Sequence, residues 1–433
     1  MELSFLVSLS CPLLALTLIL LHNLRHTKPN SPPQPSGALP ILGHLHLLAR
    51  QSPTHRTLSS LADRYGPVFA LRLGAHKAAE IRSSFKELHA GGNIVNISKW
   101  FEELSLDVIV KMITGRRYTE SVESARPFRE VIKEFMYLSG LFVLSDAIPF
   151  LPLRWVDFGG HIKAMRRISE DLDVITGRWV DEHLERGGKG DDEPDFIDVM
   201  LSEIDDRLLS FGHAKETIIK ATIQNLILAG SDTTSIHLTW TLSLLLNHPN
   251  VMQRAQHEID TNIGKHRWAQ ESDIHNLPYL QAVIKESLRL YPPGPISVPH
   301  EAAQDCRVME YTIPKGTMII VNLWKLHRDP RIWARPEDFL PERFLEGHAS
   351  GVDFNGQFYE FIPFGSGRRS CPGTTFAMQV AHLVLARLIQ GFEIKTGLDK
   401  PVDMSEGMGI TLPKATPLEV IITPRLSNEL YYS

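Results

Sequence analysis

Hydrophobic spacing divides the chain into stretches of different character. Phe5 to Leu21 is almost unbroken apolar sequence, interrupted only by Ser8, Ser10, Cys11, Pro12 and Thr17, and is just long enough to span a bilayer. From Pro29 to Gly43 closely spaced prolines take over, a composition that makes a stiff extended spacer. A short amphipathic helix is predicted from Thr57 to Tyr65, then a strand over the alternating residues Val68 to Leu73. Helical periods dominate from Ile94 to about Pro249. They are broken at Glu185 to Pro194, where Gly187, Gly188, Gly190 and a run of acids mark an exposed loop. Ala214 to Asn247 is one long apolar helical pattern ending before Pro249. After Pro292 short strands alternate with Pro and Gly turns. A last helix is predicted from Pro372 to about Ile389, with Phe376, Ala377, Val380, Ala381, Val384, Leu385 and Leu388 at helical spacing and Gly391 as its stop. The expected fold is mainly α with small β-sheets (α+β).

Charge refines the N-terminal reading. Glu2 precedes the apolar stretch, and Arg25 and Lys28 follow it. A cleaved signal peptide more often has a basic start and a small-residue cleavage site, so residues 1–24 read as a single-pass membrane anchor with the rest of the chain in the cytosol. Residues 25–43 form a basic, proline-rich hinge, and 44–433 a catalytic domain. Over all 433 residues, 43% hydrophobic and 22% charged residues are ordinary for a globular protein, and a net charge of -5 gives no sign of a nucleic-acid partner. Three cysteines, one of them in the apolar stretch, cannot form a disulfide framework, and a reducing compartment is the simpler reading.

That leaves Cys371 to be explained by its surroundings, Phe364-Gly365-Ser366-Gly367-Arg368-Arg369-Ser370-Cys371-Pro372-Gly373. A lone cysteine is usually a small buried hydrophobe, as Cys11 and Cys306 are read here. Cys371 instead has cationic neighbours and a helix start beside it, both of which lower a thiol's pKa. Pro372 fits the first helical turn and has no N–H, so amides aimed at the sulfur would come from Gly373 and its neighbours. Gly367 and Gly373 lack side chains that would hold a flat macrocycle off the backbone, and Arg369 can pair with a haem propionate. These are the needs of a thiolate ligand to haem iron.

The pattern Phe-x-x-Gly-x-Arg-x-Cys-x-Gly resembles the haem-binding signature of the cytochromes P-450, whose thiolate favours O–O cleavage. The resemblance implies that fold, with Cys371 as axial ligand and Phe364, Gly367, Arg369 and Gly373 around the haem. Further segments match it. Ala229-Gly230-Ser231-Asp232-Thr233-Thr234 interrupts the long helix with small and polar residues that suit a helix interior poorly. By itself this indicates a kink or an interhelical polar contact; in the family it is the oxygen-binding groove, where Asp232 and Thr233 relay protons. Glu286 and Arg289 share a helix face and, with Arg343 of Pro341-Glu342-Arg343-Phe344, correspond to the family's structural ion-pair set. His300, in Val298-Pro299-His300-Glu301, corresponds to a second propionate partner, although a histidine there is more often a polar strand end.

Tyr291-Pro292-Pro293-Gly294-Pro295, Leu326-His327-Arg328-Asp329-Pro330 and Pro413-Lys414-Ala415-Thr416-Pro417-Leu418 are similar to the plant family numbered eighty-two, which includes flavone hydroxylases and nicotine demethylases. That implies a microsomal enzyme of the endoplasmic reticulum membrane, taking electrons from NADPH through a cytochrome P-450 reductase, with cytochrome b5 as a further partner. It would hydroxylate an apolar specialised metabolite with O2, a flavonoid as first expectation and a terpenoid or alkaloid as others. Substrate contacts would come from Leu226, Ala229, Ile296, Val298, Gly409, Ile410 and Thr411.

One stretch departs from the family pattern. Only 33 residues separate Gly66 from Trp100, where the family fits several helices, a Trp-x-x-x-Arg haem contact and a loop over the substrate. The one Trp-x-x-x-Arg here, Trp324 to Arg328, belongs to a later part of the pattern. An internal segment is therefore expected to be missing near Ala78-Ala79, leaving the region between the family's B and D helices incomplete. Two alternatives follow: a shortened chain that is inactive or does not retain haem, and a haem-thiolate enzyme running a demethylation or rearrangement.

Overall fold

The computed structural model describes residues 81–90, 94–115, 128–141, 159–186, 195–204, 214–397 and 400–432. The expected anchor, hinge, first helix, first strand and junction at 78–79 lie outside them. In chain order the elements are α1 (Ile81–Ala90), β1 (Ile94–Asn96), α2 (Ile97–Thr114), α3 (Phe128–Ser139), α4 (His161–Arg186), α5 (Phe196–Glu203), α6 (Lys215–Asn247), α7 (Pro249–Asn262) and α8 (Pro278–Leu290). The strands β2 (His300–Glu301), β3 (Cys306–Val308), β4 (Tyr311–Ile313) and β5 (Met318–Ile319) follow, then α9 (Leu323–Leu326), α10 (Thr374–Gly391), β6 (Phe392–Lys395), β7 (Glu419–Pro424) and α11 (Asn428–Tyr432). Among the described residues no helix is long and apolar enough to cross a membrane.

The long apolar pattern is the central helix. From Thr234 to Leu245 every residue of α6 is buried, its hydroxyls being satisfied within the helix, as where Thr239 and Ser243 donate to the Ser235 and Thr239 carbonyls at 2.8 and 2.7 Å. It ends because Pro249 cannot continue it and instead opens α7. Helices α2, α4, α8 and α10 pack around α6. Helix α2 is capped at both ends: the Asn96 side chain accepts from the Lys99 amide at 3.0 Å, and Gly115, at φ 72, donates its amide to the Lys111 carbonyl. Between them Phe101, Leu104, Ile109 and Ile113 are buried, each contributing about 1.5–3 kcal/mol of apolar burial. Trp240 of α6 is fully buried, stacks on Tyr291 at 4.1 Å and donates its indole N–H to the Leu412 carbonyl at 2.7 Å. This ties the central helix to the C-terminal turns.

The sheets are small and antiparallel. One has the order β1-β7-β6, with Ile94 opposite Ile421 and Phe392 opposite Pro424; β2 pairs with β5, and β3 with β4. The first sheet brings the end of the chain to the start of α2, where the Ile97 amide donates to the Leu418 carbonyl at 2.9 Å. The α+β reading therefore agrees with the structure. The last helix differs at both ends. It starts at Thr374, because Pro372 and Gly373 are used in a turn, with Gly373 as N-cap. Gly391 belongs to its final turn and is not a stop: the Trp268 ring lies where a Cβ would be, 2.6 Å away, and the chain runs directly into β6.

Candidate active site

The Cys371 loop is built on backbone turns. The Gly365 amide donates to the Ile362 carbonyl at 2.9 Å, Gly365 and Gly367 take left-handed φ values of 76 and 73, and the Cys371 amide donates to the Phe364 carbonyl at 2.9 Å. The positive φ at Gly367 is what a side chain would disfavour, since a Cβ there would meet only open space. Gly373 is different: its Cβ would lie 3.4 Å from the Cys371 sulfur, so its absence leaves that flank of the sulfur clear. Phe364 packs edge-on against Phe354 at 5.9 Å.

The electrostatics of the thiol differ from expectation. Burial pushes Cys371 above the usual thiol range, while the Gly373 amide and the Thr374 hydroxyl pull it back. Arg368 and Arg369 are exposed and do not contribute. The expected effect of cationic neighbours on the sulfur is absent, because both side chains turn to solvent. The Gly373 amide is the first of the two groups that remain; the Thr374 hydroxyl, whose role nothing in the sequence signals, also donates to the Cys371 carbonyl at 2.7 Å. A thiol held this way gives up its proton when it coordinates a metal.

Arg369 acts instead on His300. The His300 ring is held below the ordinary histidine range first by burial and then by the positive charge of Arg369. Its Nε2 is buried without a hydrogen-bond partner among the described residues, at the start of β2, where it pairs with Ile319. An orphaned buried nitrogen beside a guanidinium is completed by an acidic acceptor. The chemistry of these residues therefore fits a haem: a buried thiol flanked by glycines, and a histidine nitrogen and a guanidinium side by side that suit acidic groups.

Helix α6 runs unbroken through Ala229 to Thr234. Its hydroxyls bond back to the helix: Ser231 donates to the Ile227 carbonyl at 2.7 Å, and Thr233 to that of Ala229 at 2.5 Å. Gly230 serves packing, since a Cβ there would lie 3.0 Å from Cδ1 of Ile109 on α2. Asp232 is the unusual group. Burial pushes its carboxyl up to about 6; the Thr411 hydroxyl stabilises the carboxylate, but Oδ2 has no hydrogen-bond partner among the described residues. Asp232, Gly409 and Thr411 line one cavity of about 630 Å³ between α2, α3, α6 and the 406–417 segment. The other expected substrate residues do not join them. Ile410 packs on the core with its amide toward the Met136 carbonyl at 3.5 Å, Leu226 and Ile296 are half-buried elsewhere, and Ala229 and Val298 are exposed. The cavity wall is mixed: Lys99, Glu102, Lys133 and Lys414 stand among Met136, Ile236, Met408 and Pro413.

The structure brings Glu286, Arg289 and Arg343 together. Fully buried Glu286 accepts from Arg289 Nε at 2.8 Å and Nη2 at 2.9 Å, from Arg343 Nε at 3.0 Å and from the Leu340 amide at 2.8 Å. Arg289 also donates to the carbonyls of His327, Pro336 and Asp338. His327 in turn accepts from the Ile362 amide at 3.1 Å, just ahead of the cysteine loop. Trp324 and Arg328 form a packed pair of their own: the guanidinium lies 4.1 Å from the ring centroid and is bonded to Glu337.

Comparison with known proteins agrees with this geometry. The family model described as Cytochrome P450 matches residues 78–420. Nicotine N-demethylase CYP82E3 of Nicotiana tomentosiformis is 41% identical, over 92% of this chain and 94% of its own length. Flavonoid-6-hydroxylase of Mentha piperita is 41% identical over 93% and 94%, and xanthotoxin 5-hydroxylase CYP82C4 of Arabidopsis thaliana 39% over 98% and 99%. The family's members carry a thiolate-ligated haem supplied with electrons from NADPH through a reductase. The chain belongs to the cytochrome P450 family, as a plant monooxygenase of family eighty-two.

Proposed function

We propose that this protein hydroxylates an apolar plant metabolite, first among them a flavonoid, at a haem held by Cys371. Residues 1–24 anchor it to the endoplasmic reticulum, where the reductase and cytochrome b5 meet its cytosolic domain. The haem, once bound, supplies oxygen activation. The chain's residues do the rest. Gly373 and Thr374 orient and stabilise the sulfur, His300 and Arg369 hold the propionates, and Phe364 packs the loop. Asp232, whose carboxyl burial raises to about 6, takes up and releases a proton just below neutral pH and passes it toward Thr233. Glu286, Arg289 and Arg343 fix the segment from which the cysteine loop departs. The observation that carries this reading is the pairing of a dipole-supported thiol with an orphaned His300 beside Arg369.

The flavonoid assignment draws on the Mentha relative, and the Nicotiana relatives make demethylation its competitor. The test is a spectral binding titration of the haem-containing protein with flavones, nicotine and xanthotoxin, followed by product analysis. A substrate-type spectral shift and a hydroxylated product with a flavone alone support the proposal; turnover of nicotine without flavone hydroxylation overturns it.

A second reading is favoured by two observations. The alignment with the Nicotiana demethylase spans 488 positions but takes in 92% of 433 residues, or about 398, so about 90 positions have no residue here. The family match also begins at residue 78, beside the Ala78-Ala79 junction. Both support a segment missing at that junction, with the loss of a haem-packing face and a substrate wall. On this reading the chain folds around Cys371 but does not retain haem, and a haem-to-protein ratio measured on the purified full chain separates the two.

A further inference from the structure

The cavity of about 630 Å³ beside Asp232 is of a size to hold one small aromatic molecule. Four cations line it: Lys99, Arg129, Lys133 and Lys414. Three of them are held by acids, Lys99 and Arg129 by Glu103, and Lys133 by Glu102 at 2.7 Å. Lys414 is in no ion pair among the described residues. Its ammonium donates to the Asp403 carbonyl and lies 5.1 Å from the centre of the Trp240 ring, which leaves further N–H bonds uncommitted. Burial pulls its pKa below the ordinary lysine range, against the nearby charge of Asp403. The Asp403 carboxylate is itself taken up by the Ser405 amide and hydroxyl and by the Thr416 hydroxyl. Glu130, the remaining acid of the α3 wall, is exposed to solvent.

The cavity is therefore polar at two separate places. Trp240 stands eight residues beyond Asp232 on α6, about 12 Å along the helix axis, so Lys414 lies about two helical turns from Asp232. Between them Ile236 and Thr239 line the wall, with the Thr239 hydroxyl already given to the Ser235 carbonyl, and Met136 contributes from α3. We propose that Lys414 anchors an ionisable hydroxyl at one end of an elongated aromatic substrate, so that the cavity takes acidic phenols in preference to amines. The proposal rests on the hydroxylase reading above and narrows its substrate to an apolar ring system that carries an acidic hydroxyl. An ammonium favours the ionised phenol and binds it through a charge-assisted hydrogen bond. A protonated amine at the same end meets repulsion instead.

Equilibrium dialysis of the full-length, haem-containing protein measures this without turnover. The probes are a flavone with one free ring hydroxyl, the methyl ether of that flavone, and nicotine, an amine protonated at neutral pH. The hydroxyflavone binds about tenfold more tightly than its ether, and nicotine binds more weakly than the hydroxyflavone. Lys414→Met brings the hydroxyflavone and the ether to equal affinity, and Lys414→Arg, which keeps the charge, keeps the preference. Equal affinities for the two flavones in the parent, a preference that survives Lys414→Met, or tighter binding of nicotine overturns the proposal. If Lys414→Met does not fold, the comparison of the three probes on the parent decides alone. Product analysis separates the anchor from the hydroxylase reading. A phenol that binds with the expected preference but is not hydroxylated overturns the hydroxylase reading and supports the anchor, whereas hydroxylation of two flavones that bind equally overturns the anchor alone.

Discussion

Replacing Glu286 by Gln isolates the charge of the buried ion-pair set from its volume. The carboxylate accepts four hydrogen bonds, three of them from two guanidiniums. Gln keeps the shape but turns one acceptor into a donor and removes the only negative charge bonded to Arg289 among the described residues; Arg289 is itself 0% exposed. A buried cation left without its partner costs about 3–5 kcal/mol. Arg343→Ala is the milder change: Glu286 keeps its two bonds from Arg289, so the loss is about 1–2 kcal/mol. The effect also reaches the haem site. Phe344, beside Arg343, packs on Phe361 at 5.2 Å, and the Arg289–His327–Ile362 chain fixes the next residue of the segment leading to Cys371. Denaturant unfolding followed by circular dichroism, with haem content measured on the same samples, reads both effects. The reasoning is refuted if Glu286→Gln lies within about 1 kcal/mol of the parent, or if Arg343→Ala costs more than Glu286→Gln.

Three other changes are predicted. A Cβ at Gly140 would lie 2.4 Å from the Ile410 amide nitrogen; Gly140→Ala therefore destabilises by about 1–3 kcal/mol and displaces the Gly409–Thr411 turn, read as a lowered unfolding midpoint with altered substrate-binding spectra. Burial depresses His237 and His327 to about 3 and His382 to about 4, from 6.5. Unfolding therefore takes up protons below about 6.5, and the unfolding free energy falls as pH drops from 6.5 toward 4, less steeply in His382→Gln. His183 works in the opposite sense. It bonds the Trp179 carbonyl at 2.6 Å and Asp195 at 2.8 Å, which raises its pKa above 6.5 while that of Asp195 falls below 3.8. The stabilisation from this pair is full between those values and is lost as pH rises through the histidine's folded pKa. His183→Gln should therefore narrow its stability gap to the parent as pH is raised; a gap that widens contradicts the charged pair.

Periodic signals were the most legible in the sequence. The central helix was expected from Ala214 and begins at Lys215, because a long run of apolar residues at helical spacing bounded by Pro249 admits little else. The loop around Cys371 was readable because its glycines carry backbone conformation as well as spacing. Side-chain direction was not readable. Arg369 stands two residues from Cys371 yet acts on His300, and Gly230 reads as a weak point in a helix but is the seat for Ile109. Thr374 carries no signal in the sequence that marks it as a neighbour of the sulfur. The cavity beside Asp232 was invisible because Glu102, Lys133 and Asp232 lie far apart in the chain and meet only when α2, α3 and α6 pack. The substrate set suffered for the same reason: Gly409 and Thr411 reach that cavity, whereas Val298 is 64% exposed.

The account depends above all on Cys371 binding haem iron as a thiolate. The reduced carbon-monoxide difference spectrum of microsomes expressing the full 433-residue chain tests this most directly. The account predicts a thiolate-type Soret band for this chain and its loss in Cys371→Ala. A band that persists in Cys371→Ala contradicts the ligand assignment, and no band from the parent chain, with a Nicotiana relative giving one under the same conditions, contradicts the active haem-thiolate enzyme.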